Sequence, residues 1–280
     1  MKRTLLATLA TGIALCSFGQ DTTVSARPTV DTTGRPDTIR IGGMVIIRDG
    51  KADHPRTHSI TFGNSRRHNS NLSTNWAILD LGFSNFDDHT SYAASDVQAF
   101  APGADADRFK LRTGKSVNVN IWILMQKLNL VKHVVNLKYG IGLELNNYRF
   151  DNERVHFLKN PTRIIDDSSW SEVDKNKLAA DYLTVPIMLN FDLTPSRKHG
   201  FGFSVGVSAG YLYSARQKIK EDGKVHKTHG DFDLDPWKIS AIAEVQLGPI
   251  RLYGSSAFNS MWSKGLDQRP YNVGIRLSHW

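Results

Sequence analysis

The chain has 280 residues, 40% hydrophobic and 22% charged, with a formal net charge of +8 and a single cysteine. That length accommodates one large all-β domain or two ordinary ones. No apolar run reaches the ~18 residues of a membrane-crossing helix, one cysteine excludes a disulfide framework, and no basic stripe interleaved with aromatics offers a nucleic-acid surface.

The first twenty residues, MKRTLLATLATGIALCSFGQ, begin with Lys2 and Arg3 and continue through an apolar stretch from Leu5 to Leu15. Ser17 and Gly19 are small residues spaced for a cut after Gly19, so residues 1–19 read as a secretory signal. Cys16 lies inside it, and Leu15 stands where a lipoprotein signal wants a small residue, which argues against lipidation. Losing Lys2 and Arg3 takes the charge from +8 to +6 and leaves no cysteine. An exported chain without disulfides needs a large core or a closed hydrogen-bonded sheet. Residues 20–73 are polar and read as a periplasmic segment, with a short hairpin expected around Gly42-Gly43 between Thr38 and Gly50. Arg66, Arg67 and His68 read as part of a solvated linker, with contact to an anionic surface as the other option.

From Trp76 onward the period becomes two. WAILDLGFSNF sets Leu79, Leu81 and Phe83 against Asp80, Gly82 and Ser84. SVNVNIWILMQ sets Val117, Val119, Ile121, Ile123 and Met125 against Asn118, Asn120, Trp122 and Gln126. LKYGIGLELNNYRF sets Leu137, Tyr139, Ile141, Leu143 and Leu145 against Lys138, Gly140, Gly142, Glu144 and Asn146. DYLTVPIMLNFDL sets Leu183, Val185, Ile187, Leu189 and Phe191 against Tyr182, Thr184, Asn190 and Asp192. GFGFSVGVSAGYLYS opposes its Phe, Val and Tyr residues with Gly202, Ser204, Gly206, Ser208 and Gly210. WKISAIAEVQLG opposes Trp237, Ile239 and Val245 with Lys238, Ser240 and Glu244; IRLYGSSAF is weaker; YNVGIRLSHW opposes Val273, Ile275 and Leu277 with Asn272, Gly274 and Arg276.

These are eight strands of about the length that crosses a bilayer at a tilt. Short turns fall near Asn129, Ser196 and Gly248, while the intervening connections are long and polar. A soluble sandwich has no reason to collect its long loops at one end; an outer-membrane barrel has this asymmetry. Aromatics at the ends of the apolar rows (Tyr139, Tyr211, Tyr213, Trp237, Tyr253, Trp262, Tyr271) suit interfacial girdles. The expectation is an all-β protein: an eight-stranded antiparallel up-and-down transmembrane β-barrel over residues 74–280, in the cell outer membrane, preceded by a short N-terminal periplasmic segment. A secreted soluble β-sandwich used for binding is the alternative fold.

Within LAADYLTVPIMLNFDL, Tyr182, Leu183, Val185, Pro186 and Leu189 spell Tyr-Leu-x-Val-Pro-x-x-Leu. This motif, with LDLGFSNF (Leu79 to Phe86) and DTIRIGGMVIIRDG, resembles the PorT-like outer-membrane β-barrel proteins of Bacteroidetes-type bacteria. The resemblance covers most of the mature chain. One branch of that group is associated with protein secretion across the outer membrane, a role that no residue here singles out. Pro186 has a physical reading of its own, because proline removes a ladder donor and marks a bulge or a local defect in pairing. Trp280 provides the terminal aromatic of a barrel-assembly signal, but it is out of phase with Val273, Ile275 and Leu277. Either a bulge near Ser278 and His279 restores the phase or Trp280 sits beyond the strand.

Several residues carry chemistry worth weighing. Asp80, Lys138, Glu144, Asp192, Lys238, Glu244 and Arg276 point inward and read as an ionic network filling the barrel, since buried charges must be paired. A narrow ion path is the functional alternative, disfavoured because eight strands leave little more than side-chain width. Asp231, Asp233 and Asp235 alternate as calcium ligands do, but Pro236 stands where an EF-hand-type loop wants glycine. His89 with Asp87 or Asp88, and His156 or His229 with a loop acid, are the candidates for a rim enzyme acting on lipid A or surface peptides. No G-x-S-x-G motif accompanies them. The expectation is a non-enzymatic barrel without cofactor. Its partners would be outer-membrane lipid and lipopolysaccharide, the barrel-assembly machinery, and a surface or secretion partner reached through the loops.

Overall fold

The computed structural model describes residues 37–41, 44–48, 60–62, 70–169, 173–195 and 200–277. The expected signal peptide and the positions of Ser196 and Trp280 lie outside them. The chain divides into two units, Met1–His68 and Asn69–Trp280. In the first, β1 (Asp37–Ile41), β2 (Met44–Arg48) and β3 (Ile60–Phe62) pair antiparallel in that order. Ile41 pairs with Met44 across the position of the expected hairpin turn, whose Gly42 and Gly43 lie outside the described residues.

The second unit begins with β4 (Leu72–Asp88), the helix α1 (Ser95–Phe100), β5 (Val117–Val131) and β6 (Val135–Arg149). The small hairpin β7 (Val155–Leu158) and β8 (Arg163–Asp166) follows. Then come β9 (Val173–Asp192), β10 (Phe201–Glu221), β11 (Lys224–His229), β12 (Trp237–Leu247), β13 (Ile250–Ala257) and β14 (Gln268–Leu277). The strands β4-β5-β6-β9-β10-β12-β13-β14 each pair antiparallel with the next, and β14 pairs with β4 from Gln268↔Asp88 to Leu277↔Leu79. The sheet therefore closes on itself as an eight-stranded up-and-down barrel, and β11 is an extra strand on the far end of β10. Closure satisfies the ladder without leaving edges, as a bilayer demands.

The sequence alternation appears as two faces. Leu81, Phe83, Ile121, Ile187, Leu189, Val205, Val207, Val245, Val273 and Ile275 are exposed on the outside, while Asp80, Asn118, Glu144, Ser204, Lys238 and Arg276 are buried inside. The outside of a closed barrel thus carries a continuous apolar band, and its interior is polar, the reverse of a soluble sandwich. Among the described residues, no helix is long and apolar enough to cross a membrane.

Four features depart from simple alternation. The β5–β6 ladder shifts register between Trp122 and Leu124, so Ile123 is an extra residue. Beyond it the phase inverts: Met125, expected on the lipid face, points inward at 0% exposure and packs with Ile78 and Trp122. Tyr253 and Trp262, expected in the girdle, are buried, Tyr253 in the lumen and Trp262 among the loops; Tyr211, Tyr213, Trp237 and Tyr271 are exposed at the outer face. Pro186 makes no bulge. The β6–β9 register is the same on both sides of it, but the ladder skips from Tyr139↔Ile187 to Gly142↔Thr184, a gap where the missing donor would bond. Finally, the long loops are not merely polar: they contain α1, β7, β8 and β11 and share an apolar core.

Candidate functional site

The lumen is filled by side chains from all around the ring. Arg276 on β14 donates Nε to Asp80 Oδ1 at 2.7 Å and an Nη to Asp80 Oδ2 at 2.8 Å, a two-pronged grip on the facing strand β4. A further Arg276 Nη donates to Glu244 on β12, which also accepts from Lys138 on β6; Lys238 donates to Glu144. Three carboxylates thus face three cations, Lys138, Lys238 and Arg276, so this centre is electrically neutral.

Amides and rings complete the hydrogen bonding, as burial requires. Asp80 Oδ2 also accepts from Trp122 Nε1 at 2.7 Å and Asn120 at 3.2 Å. Glu144 Oε1 accepts from Asn272 at 3.0 Å and Asn146 at 3.1 Å. Ser84, Asn118 and Tyr253 tie these amides together. Arg276 lies 5.5 Å from the Trp122 ring centre and Lys238 5.0 Å from that of Tyr182. Asn118, Asn120, Asn146 and Asn272 sit on the inward faces already legible as polar, but no single strand shows that they converge.

Six of the seven residues expected in the lumen network meet there. Asp192 does not: it is half-buried near the short-turn end, where its carboxylate accepts from the Thr194 amide at 3.0 Å. It lines a cavity with Lys127, Asn190 and Arg251, and a second cavity lies beside Trp122, Met125 and Ser208. Each measures about 20 Å³, room for about one water. The motif residues divide by face. Tyr182 and Pro186 are buried inside, while Val185 and Leu189 face outward.

Above the network, the long-loop end is closed by an apolar cap. Phe100 of α1, Phe150 after β6, Phe157 of β7, Phe232 and Trp262 form one buried cluster. Phe157 stacks on Trp262 at 5.9 Å and meets Phe232 at 5.4 Å, and Phe100 meets Trp262 edge-on at 5.7 Å. Gln217 on β10 anchors β7, accepting from the Phe157 amide at 3.1 Å and donating to the Val155 carbonyl at 2.8 Å. At the rim, burial and the Asp88 carboxylate both hold the Tyr92 phenol well above its usual range. Burial alone would raise Asp88, but hydrogen bonds from Tyr92, Thr90 and Gln268 outweigh it and lower its carboxyl.

The other candidates lie outside the ionic centre. Asp233 pairs with Lys264 at 2.8 Å, and Asp235 accepts from the Trp237 amide at 2.8 Å. Among the described residues, no three His, Cys, Asp or Glu side chains are grouped as metal ligands would be, Asp231, Asp233 and Asp235 included. His89 pairs with Asp87 at 2.8 Å on the exposed rim, and His156 lies 3.8 Å from Asp167.

Residues 72–260 match the family model described as outer membrane protein beta-barrel domain. The chain belongs to that family. It is an integral protein of the outer membrane, and members of this class face their short turns to the periplasm and their long loops outward. No curated protein matches the chain. In this outer-membrane barrel the apolar cap is therefore extracellular, and the ionic centre lies at membrane depth.

Proposed function

We propose that this barrel is a sealed, non-enzymatic protein that acts through its rigid outer surface, in membrane structure, surface interaction or envelope assembly. The observation that carries this reading is the double closure: a neutral, hydrogen-bonded ionic centre beneath an apolar cap. A conducting pore needs a wide polar lumen, and a rim enzyme needs an accessible cleft. This barrel fills the first, and its long loops pack into a cap rather than an open mouth, although the His89–Asp87 pair is exposed at the rim. The loops that build the cap present the external contact surface.

We place the chain in the PorT-like group on the Tyr182–Leu189 motif, whose residues divide between the lumen (Tyr182, Pro186) and the lipid face (Val185, Leu189). That placement brings a Bacteroidetes-type source, insertion by the barrel-assembly machinery, and a surface or secretion partner as the matching expectations. The decisive experiment is reconstitution in planar bilayers. The sealed-barrel reading expects no steady conductance; stable unitary steps that vanish on Arg276→Ala would overturn it. Exchanging His89 and His156 for alanine is expected to leave the envelope phenotype of the intact gene, and loss of that phenotype in folded protein would favour the rim enzyme.

A further inference from the structure

Two barrel strands run far past the membrane. β9 has 20 residues and β10 has 21, against roughly ten for a crossing. The last exposed aromatic on β10 is Tyr213, and the strand continues to Glu221. The short strand β11 folds back beside this extension, from Glu221↔Lys224 to Arg216↔His229. Lys218 stands about 16 Å along the strand beyond Tyr213, on the extracellular side and clear of the lipid.

The outer side of β11 is an open sheet edge. Asp222 and Gly223 both have positive φ, 46° and 73°, and make a two-residue turn of the I′ kind. The pair that closes such a turn, Glu221 with Lys224, exchanges backbone hydrogen bonds, and every second pair after it does the same. Lys224, His226 and Thr228 therefore turn their backbone groups to β10, and Val225, Lys227 and His229 turn theirs to the other side. The Gly230 amide, donating to the Ala215 carbonyl at 3.3 Å, keeps the same phase. Among the described residues nothing bonds across that outer side: β11 ends the order of its sheet, and all of it but Thr228 is exposed. The opposite flank of the extension is closed, because the Asn176 carbonyl of β9 accepts from the Phe150 amide at 3.2 Å.

The edge is cationic on both faces. Lys227 is opposite Lys218 on one face, and Lys224 lies on the other. Behind them, Lys218 is opposite Lys177 and Lys220 opposite Lys175 of β9. Like charges directly opposite each other are destabilising. Internal carboxylates relieve only part of this: Asp174 engages Lys220 at 3.1 Å and Asp181 engages Arg216. Among the described residues Lys175, Lys218, Lys224 and Lys227 have no carboxylate at ion-pair distance. Burial, then the neighbouring charges of Lys175, Lys218 and Arg216, push the Lys177 amine down to about 8.

Lysines on an edge are a common guard against pairing with another copy of the same chain. Such a guard needs only the edge strand. Here the cations continue inward over β10 and β9, and they attract an acidic strand while repelling a second basic one. We propose that β11 takes up an extended acidic segment of another protein by strand addition. The incoming main chain bonds Val225, Lys227 and His229, and its carboxylates lie beside Lys218, Lys224 and Lys227. A polysaccharide neutralises lysines but cannot continue a backbone ladder, which is why the open edge selects a polypeptide. The proposal rests on the reading that the barrel acts through its outer surface, and it names the chemistry of the partner. Conductance tests that reading and does not involve β11, so the two fail separately.

The test uses the full chain folded in detergent micelles. It is titrated with a short synthetic peptide alternating glutamate and threonine, with the same peptide carrying lysine for glutamate, and with polygalacturonate, an acidic chain that has no peptide backbone. The glutamate peptide is expected to bind and to slow amide exchange at Val225, Lys227 and His229; the lysine peptide is expected not to bind. Val225→Pro removes one outward donor, leaves the bonds to β10 in place, and is expected to abolish peptide binding. The triple variant Lys218→Gln, Lys224→Gln, Lys227→Gln is expected to bind roughly tenfold more weakly, from the loss of three cross-strand charge pairs. No binding of the glutamate peptide at low salt overturns the proposal and leaves the lysines as an edge guard. Unchanged binding in either variant overturns it as well. Polygalacturonate that binds the parent and Val225→Pro alike and displaces the peptide overturns strand addition in favour of a surface for polyanions. Self-association of the parent with protection of the same three amides overturns the acidic partner in favour of a second copy. A heat-dependent gel shift checks that each variant keeps the closed ring, to which β11 does not belong.

Discussion

Arg276 ties β14 to β4 through Asp80 and reaches Glu244 across the lumen, so a single guanidinium links three strands. Removing one member strands its partner in a water-poor interior. Asp80→Ala and Arg276→Ala are each expected to cost about 3–5 kcal/mol, because the remaining charge is left uncompensated. The double variant should cost clearly less than their sum. Urea unfolding of the micelle-bound barrel checks both. Additive losses would mean that the two charges do not interact. Lys177 gives a second residue-scale expectation. Its folded pKa of about 8 lies below its ordinary value of 10.5, so between these values the unfolded chain holds more protons. Stability therefore rises with pH across that window and is flat with respect to this group below about 8. Melting curves from pH 7.5 to 10.5 are expected to show a smaller rise in Lys177→Gln than in the parent.

At the scale of the strand, face assignment decides what a substitution does. Val205, exposed on the lipid face and flanked by Leu189 and Ala243, is opposite no polar group. Val205→Arg is expected to destabilise the barrel by about 2–4 kcal/mol in lipid vesicles, measured by unfolding in denaturant. Strict alternation placed Val205 correctly but not Met125. One inserted residue at Ile123 turns the rest of β5 over, and no side-chain pattern within β5 signals it, because Leu124 and Met125 are both apolar. The bulge near Leu212 acts the same way on β10, turning Lys218 outward beyond the last exposed aromatic, Tyr213. Tyr253 was misplaced for a related reason. Its hydroxyl finds Asn118 inside the lumen, a partner 135 residues away in sequence.

For the whole molecule, closure makes the barrel a single hydrogen-bonded object. Electrophoresis of the outer-membrane fraction is expected to show a faster, compact band that shifts to its full apparent mass only after boiling. A single band independent of heating would contradict the closed ring of β4 through β14. The cap is the less foreseeable half of the architecture. Phe100, Phe150, Phe157, Phe232 and Trp262 come from four different connections and look, in sequence, like isolated aromatics in polar loops.

The sequence by itself determined the class and the register of faces: eight period-two segments, short turns alternating with long connections, and inward charges of both signs. Those features are local, since a strand's two faces are written residue by residue and membrane and lumen read opposite ones. Tertiary structure alone decided which charges pair, where bulges invert a face, that Asp192 stays outside the ionic centre, and that the loops fold into a cap. Each of these depends on contacts between residues far apart in the chain, and only the closure of β14 onto β4 brings Arg276 to Asp80.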